Sequence, residues 1–337
     1  MIGRKLTPAQ LAASLAAVAA LASPGGAAIA QNQAQTKIVT GVVAHAATQL
    51  PAYWATESGC AKENGFEIDM LPVGGGGAQQ LAAGALNVSQ SGFPDYFRAI
   101  DQGAEMKLFI NNNSAPPYSV HAKPAIKKIA DLKGRTITIG GVKDVTLIYI
   151  QPLLASAGLK ASDVDFIYAK ATADRFTALN AGGVDAAILN PPASFRADGL
   201  GFTKLGEISD YMKDYPFTVW AVHTGWAAKN RGAVVGFTVC HIRGVEWANQ
   251  PENKTQAVDM ILKYAKASPA DAAKTYDYFS KLKFFSRDAA LTEAIFDKMK
   301  GGLLQMGDVR EPVPPLAKFF DASFLTEAEQ KMKAKAK

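Results

Sequence analysis

Apolar residues along this chain fall into short runs bounded by glycine, proline and small polar residues, and these runs alternate with longer stretches of helical spacing. The pattern is clearest over residues 131–192. Residues 136–139 are a β-branched run, broken by Gly140-Gly141. Residues 146–157 have the length and apolar spacing of a helix, with Gly158 as its cap. A strand is predicted over 164–168 and a helix over 173–181, ended by Gly182-Gly183. A buried strand over 184–189 follows, stopped by Asn190-Pro191-Pro192. Strands and helices in alternation imply parallel strands with helices packed on the sheet.

The same alternation runs through the preceding residues. Strands are predicted over 37–43, 66–73, 86–89 and 107–110, with helices over 52–63, from 78 to 83, and from Phe93 towards Gly103. Each strand stops at a polar or glycine-rich loop. In open α/β sheets ligands bind outside those carboxyl ends. Ala115-Pro116-Pro117 reads as a crossover, residues 118–123 open a second lobe, 200–209 complete it, and 217–223 return to the first. The predicted organisation is residues 31–114 in lobe 1, 115–214 in lobe 2, and 215–337 back in lobe 1, with a short hinge at each crossing. Helices are predicted over 226–230, 233–249, 251–267 and 269–279. Another is capped by residues 284–288 and runs to Met299, Gly301-Gly302 breaks the chain, and a last helix covers 325–335. Together they are expected to cover the first lobe.

Three motifs carry a resemblance. Asp131-Leu132-Lys133-Gly134-Arg135 precedes a strand. Ala157-Gly158-Leu159 is followed by Asp163-Val164. Ala181-Gly182-Gly183-Val184-Asp185-Ala186-Ala187 precedes a proline. In this order they resemble the substrate-binding proteins of bacterial ABC importers, in the branch serving nitrate, sulfonates and taurine and including thiamine-pyrimidine-precursor binders. Tyr53 and Glu57-Ser58-Gly59 match a helix of that family. The resemblance covers roughly residues 37–249. It implies an α/β, two-lobed periplasmic-binding-protein fold of type II, each lobe an open sheet flanked by helices, with the ligand cleft between lobes. It also implies capture of a small organic or inorganic anion by lobe closure, docking on a membrane ABC permease with its transmembrane and ATPase subunits, a monomer, and no cofactor.

Composition changes the picture at one end. The 48% hydrophobic and 20% charged content is that of an ordinary soluble protein. Residues 1–30 read as a cleavable secretory signal: Arg4 and Lys5 open it, residues 11–21 are apolar but too short to span a bilayer, and Ala28-Ile29-Ala30 is a cleavage site. A periplasmic address is therefore expected. Loss of Arg4 and Lys5 lowers the formal charge from +6 to +4. No Lys/Arg cluster with interleaved aromatics exists, so nucleic acid is not an expected partner. An oxidising compartment permits Cys60 and Cys240 to pair, but two separate buried thiols fit the sequence equally well.

The candidate ligand contacts sit at predicted strand ends and helix starts. In the first lobe they are His45, Gln79, Ser91, Gly92 and Asn113, with Phe93 and Trp220 as apolar lining. The glycine turn at 74–77 exposes N–H groups at a helix start, where an anion is favoured, but no Gly-Lys-Ser/Thr follows to make a P-loop. In the second lobe they are Lys143, Thr146 and Asn190, with Asp144 as a helix N-cap. Arginine is absent from the predicted cleft loops, which argues against a bidentate carboxylate clamp. Neutral donors and helix termini suit a sulfonate, a carboxylate or a neutral heterocycle. No nucleophile elbow, metal-ligand spacing or His-Glu-x-x-His occurs, so neither enzyme chemistry nor a metal is expected. The cysteine-rich motif of the pyrimidine-forming relatives is missing. Two alternatives stay open: a sensory binding protein for a receptor or kinase, and an enzyme on the same fold using His45 or Asp185.

Overall fold

Two five-stranded sheets organise residues 35–335, the part described by the computed structural model. The expected secretory signal lies outside the described residues. The chain begins with β1 (Thr36–Val42), α1 (Leu50–Glu57), α2 (Cys60–Glu63), β2 (Phe66–Pro72), α3 (Gly77–Ala82), β3 (Val88–Gly92), α4 (Phe93–Asp101) and β4 (Met106–Asn111). It then crosses to β5 (Ser119–Ala122), β6 (Thr136–Ile139), α5 (Val145–Ala155), β7 (Asp165–Tyr168), α6 (Thr172–Asn180), β8 (Ala186–Leu189), α7 (Ala193–Gly199) and β9 (Thr203–Glu207). It returns through β10 (Thr218–His223) and ends in α8 (Thr224–Lys229), α9 (Arg231–Ala248), α10 (Lys254–Ala265), α11 (Pro269–Leu282), α12 (Glu293–Gln305) and α13 (Ser323–Lys335).

The first sheet has the order β2-β1-β3-β10-β4 and the second β7-β6-β8-β5-β9. In each, the strands joined through helices run parallel, and the crossing strand, β10 or β5, is inserted antiparallel between two others. Central strands are buried on both faces, so Val88–Ser91 and Ala186–Leu189 have no exposed residue. The parallel strands of each sheet end on the side facing the other lobe, and this positions the site.

Three expectations are corrected. The single helix over 52–63 is two helices, because Gly59 takes a left-handed φ of 80° between them. Gly301-Gly302 does not break the chain but lies inside α12: a Cβ at Gly302 would approach Ile148 Cδ1 to 2.9 Å, so glycine lets this helix pack against α5 of the second lobe. Residues 284–288 are not a helix cap but extended chain along β4, where Phe285 bridges Asn113 and the Asn111 N–H donates to the Ala289 carbonyl. The C-terminal helices also reach beyond the first lobe, since Tyr278 of α11 donates to Glu207 Oε2 over 2.9 Å and packs edge-on against Phe195.

The cysteines are joined. A disulfide links Cys60 at the start of α2 to Cys240 within α9, 180 residues apart, with both residues buried.

Candidate functional site

A cavity of about 860 Å³ lies between the two sheets. The first lobe contributes the loop after β1, with Val43–Ala46, Thr48 and Gln49, the end of β3, with Gln90–Gly92, and Phe217 and Thr218 at the start of β10. The second lobe contributes Tyr118, Asp144 and Val145, then residues 170–173, residues 190–193, and Arg196. The α10–α11 loop adds Ala265–Ser268 and Asp271. The lobes approach closely at one point: a Cβ on Gly92 would stand 3.3 Å from Val145 Cγ1.

Of the sequence-selected residues, His45, Ser91, Gly92 and Asn190 line this cavity, and six do not. Gln79 is exposed on α3, away from it. Phe93 and Trp220 are fully buried in the first lobe, packed against Phe97 and Phe237, because the β3–α4 and β10 side chains there point into the core. Asn113 is buried behind Thr218, taking hydrogen bonds from its N–H and hydroxyl. Thr146 is held internally: its N–H and hydroxyl donate to Asp144 Oδ1 at 2.9 and 2.6 Å. Lys143 is exposed on the outside of the same turn. The α5 N-terminus is thus satisfied by its own cap. Besides α7, which reaches the cavity through Ala193 and Arg196, the second-lobe helix that opens onto it is α6, through Ala171, Thr172 and Ala173. Its first-turn N–H groups favour an anionic or acceptor group.

The residue with most charge contacts at the site is Lys170. Its ammonium lies 2.8 Å from Asp144 Oδ2 in its own lobe and 3.0 Å from Asp95 Oδ2 of α4 across the cleft. Ser91 donates to the same Asp95 oxygen over 2.9 Å, and Arg98 reaches both Asp95 Oδ1 and the Lys143 carbonyl of the other lobe. Burial acts to lower the Lys170 pKa, but Asp144 and Asp95 outweigh it, so the group stays charged. Burial likewise acts to raise Asp144, and Lys170 and the Thr146 donors hold it below the ordinary carboxylate range. Arg175 builds the loop that presents Lys170. It is 1% exposed and donates to the carbonyls of Ala169, Lys170 and Ile188 and to the Thr172 hydroxyl.

Beside this cluster sits a poorly paired carboxylate. Asp308 is buried, and although Arg98 Nε lies 3.1 Å from its Oδ1, no donor among the described residues is aimed at either oxygen. Burial pushes its pKa up to about 6, against the pull of Arg98 and Lys143 and with help from Asp95. The folded value lies above the unfolded one, so the protonated form is favoured by folding, and stability is lost as pH rises from about 4 to about 6. Asp308→Asn should match the wild type near pH 4 and exceed it at pH 7 by about 2–3 kcal/mol in urea unfolding. A variant less stable than wild type at pH 7 would show that the carboxylate is favourably paired.

Lys170 and Arg196 have no distinctive sequence signature. Lys170 follows β7 at the same topological position as the loops after β6 and β8, and that rule alone points to it. Arg196 stands on α7, which the Asn-Pro-Pro stop conceals, so the arginine that lines the cavity comes from a helix and not from the predicted cleft loops.

Two lobes, antiparallel crossing strands and a cavity at the strand ends define a two-lobed binding-protein fold. The chain belongs to the NMT1/THI5 like family, whose model matches residues 47–254. No curated protein matches the sequence. The alkanesulfonate-binding protein SsuA from Xanthomonas axonopodis pv. citri bound to MOPS is similar over 85% of this chain and 98% of its own, with 15% identity and a TM-score of 0.67. The periplasmic nitrate-binding protein NrtA from Synechocystis PCC 6803 is similar over 88% and 89%, with 13% identity and a TM-score of 0.69. The desulfurization enzyme DSZB is similar over 88% and 100%, with 15% identity and a TM-score of 0.65. The fold is therefore shared by binding proteins and by an enzyme.

Proposed function

We propose that this protein is the solute-binding component of an ABC importer, that it captures a small organic anion between its lobes, and that the closed form docks on a membrane permease. The observation that carries this reading is the cavity itself, walled by strand ends of both sheets and by the open N-terminus of α6. Its size, about 860 Å³, is that of a small-organic-molecule site and far exceeds a bare nitrate ion. The charged residues lining it are Lys170, Arg196 and Lys266 against Asp144 and Asp271, a balance that suits a single negative charge. Phe176, Phe217, Pro191 and Val145 supply apolar wall for a ring or chain. The sulfonate and nitrate binders of the same fold support the anion class. The disulfide supports an oxidising, extracytoplasmic address.

Binding from both lobes favours the closed form over the open one, which is the signal a permease reads. The likeness to DSZB keeps an enzymatic reading in view. Against a thiol mechanism, both cysteines of the chain are paired. A thermal-shift screen of alkanesulfonates, taurine, nitrate, aromatic sulfonates and carboxylates, and pyrimidines tests the proposal. A ligand at about 100 times its dissociation constant adds roughly 2.7 kcal/mol of stability. The expected hits are monoanions with an organic body. A flat response from folded, ligand-free protein would overturn the anion reading, and turnover of a hit would favour the enzyme.

A further inference from the structure

Gln49 and Gln90 form a buried amide pair in the first-lobe wall of the cavity. Their orientation is not free. The Ala46 backbone N–H donates over 2.8 Å to the Gln49 side chain. A backbone N–H can only donate, so the Gln49 atom there must be the oxygen, Oε1. The Tyr53 hydroxyl donates to that oxygen as well, over 3.3 Å. The Gln49 Nε2 group is therefore turned to Gln90 and donates to its Oε1 over 2.6 Å. This fixes the second amide in turn. Its oxygen faces Gln49, and Gln90 Nε2 is left buried with no acceptor among the described residues. Flipping Gln90 would set two NH₂ groups against each other, so the unpaired donor is imposed by the Ala46 N–H two links away. Gln90 is only 2% exposed, so bulk water does not repair the loss.

We propose that Gln90 is a specificity-determining residue that offers the solute a donor and nothing else. The group it selects is an oxygen acceptor, as on a sulfonate or carboxylate, which a small shift of the cavity wall brings to Nε2. A solute presenting N–H at that point meets an NH₂ group and is rejected. A site built around one unmet polar group discriminates strongly against a partner that leaves it unmet. The inference rests on the solute-binding reading above and deepens it, because donor polarity is set by the fold and not by the ligand.

Two variants and two readouts test it. Gln90→Glu still accepts from Gln49 but presents a carboxylate where the donor was. Gln49→Glu still accepts from Ala46 and Tyr53, cannot donate, and should flip the unaltered Gln90 so that its oxygen, and not its NH₂, is the unpaired end. Titration calorimetry with benzenesulfonate, benzoate, ethanesulfonate and nitrate, on variants first shown to be folded, is expected to show a roughly 10- to 100-fold weakening in each variant. Unchanged affinity in Gln90→Glu would overturn the proposal. Side-chain amide NMR without any ligand decides the relay alone. The Gln90 NH₂ signals are expected to be those of an unbonded amide in wild type, with the Gln49 signals hydrogen-bonded, and the Gln90 signals should become hydrogen-bonded in Gln49→Glu. A Gln90 amide that is already hydrogen-bonded in wild type overturns the proposal whatever the titrations show. Wild-type protein that binds none of the four anions, yet shows the NMR pattern, counts against the solute class and not against the relay.

Discussion

Lys170→Met is expected to part the two lobes and to cost roughly 2–4 kcal/mol of stability. Methionine keeps the length and apolar stem of lysine but removes the charge that joins Asp95 in the first lobe to Asp144 in the second. Breaking a buried ion pair from one side leaves uncompensated charge, and here it leaves two carboxylates facing each other across the cleft. The loss is kept to the lower part of the usual range because each retains other donors. Asp144 keeps the Thr146 N–H and hydroxyl, and Asp95 keeps Ser91 and Arg98. The cavity also loses one of its three lining cations, so affinity for an anionic solute should fall. Small-angle scattering of the ligand-free protein should show a larger radius of gyration for Lys170→Met. Asp95→Asn separates the two roles, since it removes the charge contact of Lys170 across the cleft while leaving Lys170 on Asp144. It should open the lobes with a smaller stability loss. Identical scattering curves for all three proteins would show that closure does not depend on this contact.

The same residues show how far the sequence could be read. Strand β6 was legible to the residue, Thr136–Ile139, because a β-branched run between an Arg and a glycine pair has no competing helical reading. The two-sheet α/β architecture was legible for a similar reason: alternating strand and helix patterns leave few topologies. The site was legible only as topology. His45, Ser91, Gly92 and Asn190 sit at strand ends, and strand ends face the cleft. Orientation within a strand end was not legible. Ser91 and Trp220 both lie near the carboxyl side of the first sheet, yet one lines the cavity and the other is buried against Phe237. That difference is set by which helix covers which face, and α9, the helix over Trp220, comes later in the chain. Lys170 was hidden differently. Its importance comes from Asp95 and Asp144, which lie 75 and 26 positions away in sequence, the first on the other lobe and the second on a neighbouring loop of its own. Asp144 was legible as the cap of the helix start at Gly141–Thr146, but its pairing with Thr146 and Lys170, which takes both Thr146 donors away from the cavity, was not.

Removal of the disulfide should have an effect of similar size, through a different state of the chain. Cys60 and Cys240 close a loop of 180 residues that contains the whole second lobe, β5 to β9, together with both crossings. A cross-link restricts the unfolded chain more as the loop lengthens, and loss of such a bond typically costs about 2–5 kcal/mol. Both half-cystines are buried where α2 and α9 pack beside β2, with Asn64 and Phe66 close to Gly236 of α9. Cys60→Ala with Cys240→Ala removes two buried sulfur atoms and so carries a packing cost as well, but the larger share should come from freeing the unfolded chain. Two consequences separate this account from a local packing effect. Urea unfolding of the double variant should show a lower midpoint with an m-value equal to or greater than that of the oxidised protein, since an unlinked denatured chain exposes more surface. Reductant should lower the wild-type midpoint to that of the variant and leave the variant unmoved. A midpoint insensitive to reductant would mean either that the bond does not form in the folded protein or that the native contacts between α2 and α9 already restrict the denatured chain as much as the bond does. Quantifying free thiols under denaturing conditions tells these apart: two reactive thiols would indicate the first and none the second.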